Sequence, residues 1–389
     1  MPHKGKNIAL VCDWLTTPGG AEQVLLALHE LYPDAPIYTS QYRKQGINWF
    51  LDADVRTGWL QIFPAGLRRF IAPLRQLYFK HLDLSKYDVV ISVTGAEAKF
   101  VKTENKHKGT KATHFCYCHV PTQYYWAKYD DYVKDPGFGW LNPLVRVAFK
   151  LMVKPLRRAD YKAAQRPDYY ITISHHAASE IKTYYKRESR IIYPPVNVEN
   201  FHQAVENSAI KNSKSQTKLA QNHNTKLKFI NFSRQVTWKR LDLIVKACQS
   251  TKDTLTLIGG GPEHKNLVKL ANGFDSVTFR PFMLQDQLAK YLSNSNAFIF
   301  PSVEPFGIAP VEALAAGCPV IALNAGGAKD YIKDGENGIL FDEQTVDSLA
   351  AAIERFRTLQ FDRQKISKSA NRFSRDEFNR KIRELVNAA

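Results

Sequence analysis

Sulfur is scarce in this chain of 389 residues: five cysteines and three methionines. The cysteines, Cys12, Cys116, Cys118, Cys248 and Cys318, are odd in number and include no C-x-x-C pair. That pattern excludes a disulfide framework and a zinc-thiolate or dithiol redox motif, and a reducing, cytosolic compartment is expected. Long apolar runs are missing as well. No stretch reaches the ~18 residues of a membrane span, and the opening run IALVC is too short for a signal-peptide core, so any membrane attachment is expected to be peripheral. Acid is the minority charge, with 37 Asp and Glu against 54 Lys and Arg. The surplus of +17 favours an anionic partner: a phosphorylated substrate, an acidic lipid surface or nucleic acid. What is present is 44% apolar residues, enough for two or three domains with real cores, which excludes a disordered chain.

Short β-branched or aromatic runs alternate with helix-length segments: IALVC (8–12), VVISV (89–93), THFCYC (113–118), YYITIS (169–174), KFINFS (228–233), LTLIG (255–259), VTFR (277–280), AFIFPS (297–302) and PVIAL (319–323). Strands separated by helices imply parallel sheets. The rhythm breaks once, between about 191 and 227, where NSAIKNSKSQTKLAQNHNTK is polar and nearly free of apolar residues. A domain boundary is expected there, with a surplus of basic residues on both sides. Near the end, Ser374 with Glu377 three residues on reads as the capping box of a last helix.

The segment FIFPSVEPFGIAPVEALAAGCPVIAL places an apolar strand before a loop carrying Glu304, then a helix starting near Ile308 with Glu312 inside it. With Pro310 in the first turn, where its missing N–H costs nothing, the amides around Gly307, Ile308 and Ala309 can receive a diphosphate. On physics alone this is equally a crossover between parallel strands with two solvated acids.

Glu304 and Glu312, with seven residues between them, resemble the E-x(7)-E motif of the retaining GT-B glycosyltransferases. The likeness continues in NIALVCDWLTTPGGAEQVL, YCHVPTQYYW, ITIS, IIYPPVNVENF, FSRQVTWKRLDLIVKA, LIGGGPE and NGILFD, all in family order. Among these enzymes the chain is most similar to bacterial mannosyltransferases of O-antigen, capsule and exopolysaccharide assembly. The resemblance implies an α/β, GT-B fold of two facing Rossmann-like domains with parallel sheets and an interdomain cleft. It implies an acceptor-binding domain over 1–190, with the helix 374–389 packing back on it, and a nucleotide-sugar-binding domain over 191–373. The implied reaction moves a hexose, mannose from GDP-mannose, onto a lipid-linked saccharide with retention, without a cofactor or a metal. An inner-membrane-face location follows from such an acceptor. Two other readings stay open: a GT-B nucleotide-sugar 2-epimerase, and a nucleic-acid-binding protein, although no recognisable nucleic-acid module appears and nucleic acid is not expected as a partner.

Position by position, the resemblance makes Glu304 the carboxylate facing the transferred sugar and Glu312 the one that binds ribose. Carboxylates suit both tasks, since each accepts hydrogen bonds from a diol and can stabilise an oxocarbenium-like centre. Arg234 and Lys239 correspond to the diphosphate-binding pair, and cations there would neutralise the leaving group. His119 corresponds to a histidine lining the sugar pocket. Gly19 and Gly20, before the helix AEQVLLALHEL, can bring amides close to phosphate or sugar, and Asp13, at the end of the first strand, is assigned to the acceptor side.

Other patterns carry less. GGGP (259–262) lacks the third glycine of a dinucleotide fingerprint, and Asp52 with Asp54 precedes no long apolar strand, so it is not read as a metal motif. In LVRVAFKLMVKPLRRADYKAAQR (144–166), Arg146, Lys150 and Lys154 open a basic stripe at helical spacing, expected either to meet an anionic membrane or to be an ordinary solvated face. The shorter LRRFIAPLRQLYFKHL (67–82) adds to the membrane reading.

Overall fold

The computed structural model describes residues 6–64, 66, 71–136, 139–202 and 226–388. The polar linker stretch, all but its last residue, and residues 67–70 of the shorter basic segment lie outside the described residues. The chain forms two compact units, Met1–Pro194 with Phe378–Ala389 (unit 1) and Pro195–Glu377 (unit 2). These junctions fall beyond residues 190 and 373 because the flanking segments pair within unit 2: Val196 N donates to Phe373 O (2.9 Å), and Val196 bridges to Ser374.

Unit 1 is built on a parallel sheet. Its strands are β1 (Ile8–Cys12), β2 (Ile37–Thr39), β3 (Val55–Arg56), β4 (Val89–Thr94), β5 (Thr113–Cys118), β6 (Tyr169–Thr172) and β7 (Arg190–Ile191), in the order β3-β2-β1-β4-β5-β6-β7. The run Val-Val-Ile-Ser-Val-Thr of β4 is buried throughout, as expected of a central strand covered on both faces. Its helices are α1 (Gly20–Leu31), α2 (Ala72–His81), α3 (Tyr129–Lys134), α4 (Asn142–Ala164) and α5 (His175–Tyr185). Ser174 caps α5, its hydroxyl accepting from Ala177 N at 3.0 Å.

Buried charges lock unit 1 together. Asp160 of α4 accepts from Lys99 (2.7 Å), Thr122 Oγ1 (2.9 Å), Trp126 Nε1 (2.8 Å) and Tyr185 OH (2.8 Å), a fully satisfied set that offsets the cost of burying both ions. Beside it, Arg75 Nε donates to Glu97 Oε2 (2.8 Å), and Tyr124 OH donates to the other oxygen, Oε1.

Unit 2 is a second parallel sheet of β8 (Lys228–Phe232), β9 (Thr254–Ile258), β10 (Val277–Arg280), β11 (Ala297–Phe300), β12 (Val320–Leu323) and β13 (Gly338–Phe341), ordered β10-β9-β8-β11-β12-β13. The strand order reverses between β8 and β11, and ligands of doubly wound sheets bind beyond the carboxyl ends of strands at such a point. Its helices include α6 (Leu241–Thr251), α7 (Gln285–Ser293), α8 (Ile308–Ala315) and α9 (Val346–Thr358). The last helix, α10 (Arg375–Ala388), crosses the unit junction. Ser374 Oγ accepts from Glu377 N (3.2 Å) at its start, while Phe378 lies against Tyr117 (5.9 Å between rings) and Lys6 Nζ donates to Val386 O (3.0 Å). All five cysteines are free and buried.

Candidate active site

In unit 2 the strand-loop-helix unit expected around residue 304 is present. β11 ends at Phe300, Glu304 lies in the loop, and α8 starts at Ile308 with Gly307 as its N-cap. Gly307 has φ 94°, and a Cβ there would come within 2.9 Å of Phe300 and 3.0 Å of the Tyr331 hydroxyl, so a side chain is excluded twice over. Gly326 (φ 61°) closes on the other side, where a Cβ would sit 2.3 Å from Glu304 O. The loop is thus held against a second loop that only glycine can form. First-turn N–H groups of a helix have no intrahelical acceptor, and together with the helix dipole they make the Gly307–Ala309 turn an anion-receptive end.

Sequence spacing treated Glu304 and Lys239 as members of separate motifs, and the structure brings them together. Lys239 Nζ donates to Glu304 Oε1, which also accepts from Ser302 Oγ (3.0 Å). Adjacent parallel strands explain the meeting. β8 pairs with β11 (Phe229 with Ala297), so the loops leaving their carboxyl ends emerge side by side. Lys239 is followed by Arg240 at φ 50°, a left-handed conformation that is costly for a non-glycine residue. Arg234 is exposed on the same loop, whose backbone is fixed by Gln235 N donating to Gly260 O (2.8 Å).

Glu312 lies one turn into α8 and is buried. Burial pushes its carboxyl up to about 7, opposed by one hydrogen bond from Gln285 Nε2 at 3.2 Å. Gln285 is oriented in turn by Asn200 Nδ2, which donates to its Oε1 at 3.1 Å. Gln285, Asn200 and Ser302 carried no signal in the sequence, since ordinary polar residues become site residues only once the sheet has placed their loops.

Unit 1 holds a cavity of about 410 Å³ whose walls include Trp14, Glu22, His119, Gln123, Tyr124 and Tyr132. Aromatic faces among a few polar groups suit a sugar ring. His119 follows β5. Burial lowers its imidazole to about 4, which keeps it neutral near pH 7, and its buried Nε2 has no hydrogen-bond partner within the protein. An orphaned nitrogen in a cavity wall is what a ligand hydroxyl would satisfy. Gly19 caps α1 and Gly20 begins it, next to Ala21 and Glu22 of the cavity wall.

Two expected roles require correction. Asp13 borders the cavity, but its carboxylate is occupied by the scaffold. It accepts from Thr94 Oγ1 (2.9 and 3.0 Å), Gly95 N (2.9 Å) and Ala98 N (2.7 Å) and so clamps the loop after β4, which leaves little capacity for an acceptor. Arg146 does not belong to a membrane-facing stripe: its guanidinium donates to Val133 O and Lys134 O, both at 2.8 Å, and finishes the C-terminus of α3. Lys150 and Lys154 are exposed. Asp54 pairs with Arg56 at 2.6 Å, and among the described residues no group of three His, Cys, Asp or Glu side chains is placed to hold a metal.

With this geometry in place, likeness to known proteins is informative. Residues 213–373 match the family described as Glycosyl transferases group 1. Over 137 residues the chain is 35% identical to a GDP-mannose-dependent alpha-(1-6)-phosphatidylinositol monomannoside mannosyltransferase of Mycobacterium tuberculosis, covering 31% of this chain and 36% of that one. A sulfoquinovosyl transferase of Arabidopsis thaliana is 31% identical over 131 residues, 32% of this chain and 25% of its own. The aligned part is thus about a third of these relatives' length or less. Among solved structures, Anabaena Alr3699/HepE in complex with UDP superposes with a TM-score of 0.68 at 19% identity, covering 98% of this chain and 100% of that one. A sucrose-phosphate synthase from Thermosynechococcus elongatus gives 0.68 at 19% identity, over 99% of this chain and 100% of its own. These likenesses give the fold as GT-B, two α/β units with parallel sheets.

Proposed function

We propose that this chain, a GT-B protein whose residues 213–373 match the group 1 glycosyl transferases, is a retaining hexosyltransferase that moves mannose from GDP-mannose onto a lipid-linked saccharide at the cytoplasmic face of an anionic membrane. The observation that carries the reading is the unit 2 constellation: a glycine-started helix end, the Lys239–Glu304 pair beside it and the buried Glu312 one turn further in. The donor diphosphate is received by the Gly307–Ala309 turn with Arg234 and Lys239, and Glu312 accepts the ribose hydroxyls. Lys239 exchanges its carboxylate partner for the diphosphate, which neutralises charge building on the leaving group and releases Glu304 to face the anomeric carbon. Electrostatic stabilisation of an oxocarbenium-like centre is the task left to Glu304. The acceptor sugar lies in the aromatic cavity of unit 1, with its hydroxyl on His119 Nε2. The choice of mannose and guanine is supported by the mycobacterial relative; the Anabaena neighbour, solved with UDP, is the reason to test the base.

Calorimetric titration of the protein with GDP, UDP, ADP and TDP tests the donor. GDP is expected to bind most tightly. Tightest binding of UDP would overturn the donor assignment, and binding of none would overturn the nucleotide site itself.

A further inference from the structure

Helix α4 presents a face with no partner among the described residues. Trp140, in the turn leading into the helix, is 87% exposed, and Leu144 (70%), Val147 (57%) and Leu151 (74%) follow at spacings of four, three and four, which puts them in one line along the helix. Singly exposed apolar residues are ordinary, whereas three in a row on one helix, extended by a tryptophan in the turn before it, are not. On α4 itself the exposed charge has one sign, while the acids nearby, Asp130, Asp131 and Asp135, belong to α3 and its end. Residues 142–164 contain six Lys and Arg and a single acid, Asp160, which is buried in the ion-pair set with Lys99. Lys150, Lys154, Arg158 and Lys162 are exposed, so every charge that α4 offers to solvent is positive. An apolar line with aromatic and aliphatic members, edged along α4 by cations, matches the interface between the acyl chains and anionic headgroups of a bilayer. No helix among the described residues is long and apolar enough to cross a membrane.

We infer that α4 docks unit 1 onto an anionic bilayer by inserting Trp140, Leu144, Val147 and Leu151 into the headgroup boundary, with Lys150 and Lys154 on the phosphates. This rests on the reading above that the acceptor is lipid-borne, and it specifies how the acceptor cavity reaches the lipid. The inward side of α4 braces the segment that walls the cavity. Arg157 Nε donates to Tyr125 O (2.5 Å) and its guanidinium stacks on Tyr129 (4.6 Å to the ring centre), Phe149 lies against Tyr129 (5.6 Å), and Arg146 holds the end of α3, which carries Tyr132. A helix seated in the interface therefore carries the Gln123–Tyr132 wall with it.

Co-sedimentation of the full chain with vesicles of phosphatidylcholine, alone or mixed with an equal part of phosphatidylglycerol, tests the inference. The triple variant Leu144→Ser, Val147→Ser, Leu151→Ser is compared with Lys150→Glu, Lys154→Glu. The parent should sediment with the anionic vesicles alone, and each variant should partition roughly tenfold more weakly or worse. Trp140 emission should shift to the blue on binding in the parent, and Trp140→Phe should abolish that shift. A serine triple that sediments like its parent at low salt would show adsorption by charge without insertion and overturn the inference. So would a dimer in size-exclusion chromatography that the serine triple dissociates, because a second copy would then cover the line. Calorimetry with GDP separates this from the donor assignment. Nucleotide binding by the serine triple should match the parent, and absence of GDP binding in both would sink the donor reading while leaving the docking result standing.

Discussion

The carboxyl of Glu312 gives the fold a pH dependence that can be worked out in advance. Its ordinary value is 4.5 and its folded value about 7, raised by burial. Between these values the unfolded chain has already lost the proton that the folded chain keeps, so folding takes up a proton and stability falls as pH rises. The stabilising protonated form is fully present below 4.5, and the loss is complete once pH has passed about 7. At 1.36 kcal/mol per pH unit the whole gap is worth ~3 kcal/mol, most of which falls between pH 5 and pH 8. Glu312→Gln removes the titration but keeps an oxygen to accept from Gln285 Nε2. The variant should therefore gain ~2–3 kcal/mol relative to the parent on moving from pH 5 to pH 8, without ligand at either pH. Urea titrations at both pH values, with exchange of the β11–α8 amides reporting on unit 2, measure this directly. Parallel stability profiles for the two proteins would mean that Glu312 ionises like an exposed glutamate, and the burial argument would fail.

Glu304→Gln should leave GDP affinity nearly unchanged while lowering turnover by roughly a hundredfold or more, and unaltered turnover would remove Glu304 from the chemistry. Arg234→Ala and Lys239→Ala should each weaken GDP more than guanosine, since their charges act on phosphate; equal weakening of both ligands would make the residues structural. Asp160→Asn should cost ~3–5 kcal/mol by stranding the Lys99 ammonium in the interior, and Lys99→Met combined with Asp160→Leu should recover much of it. Denaturation midpoints of the single and double variants decide the matter.

The parallel sheets could be read from the chain because their central strands are continuous apolar runs, such as β4 and β5. Strand β2, three residues after Pro36, and β7, two residues long, are too short to show a period, and only pairing with β1 and β6 defines them. The spacing of Glu304 and Glu312 pointed to the site because both lie on one local strand-loop-helix unit. The contact between Lys239 and Glu304 was hidden because it depends on which strands are neighbours. Asp13 was noticed for its position at a strand end, but its role turned on a loop more than eighty residues away returning to donate three groups to it. On α4 the charges drew attention, whereas the solvent-facing line is apolar, and helical spacing alone does not say which side the core covers.

Unit 1 is made from both ends of the chain, since Phe378 seats on Tyr117 and Lys6 holds the carbonyl of Val386. On the ribosome, therefore, unit 1 is begun before unit 2 and completed after it. After Pro194 is joined, ~180 further residues must be added before α10 exists, roughly 10–40 s at ~5–20 residues per second. Throughout that interval the groove for α10 stays open, with Tyr117 uncovered. A stop codon placed at Phe378 should thus damage unit 1 and spare unit 2, encoded between its two parts.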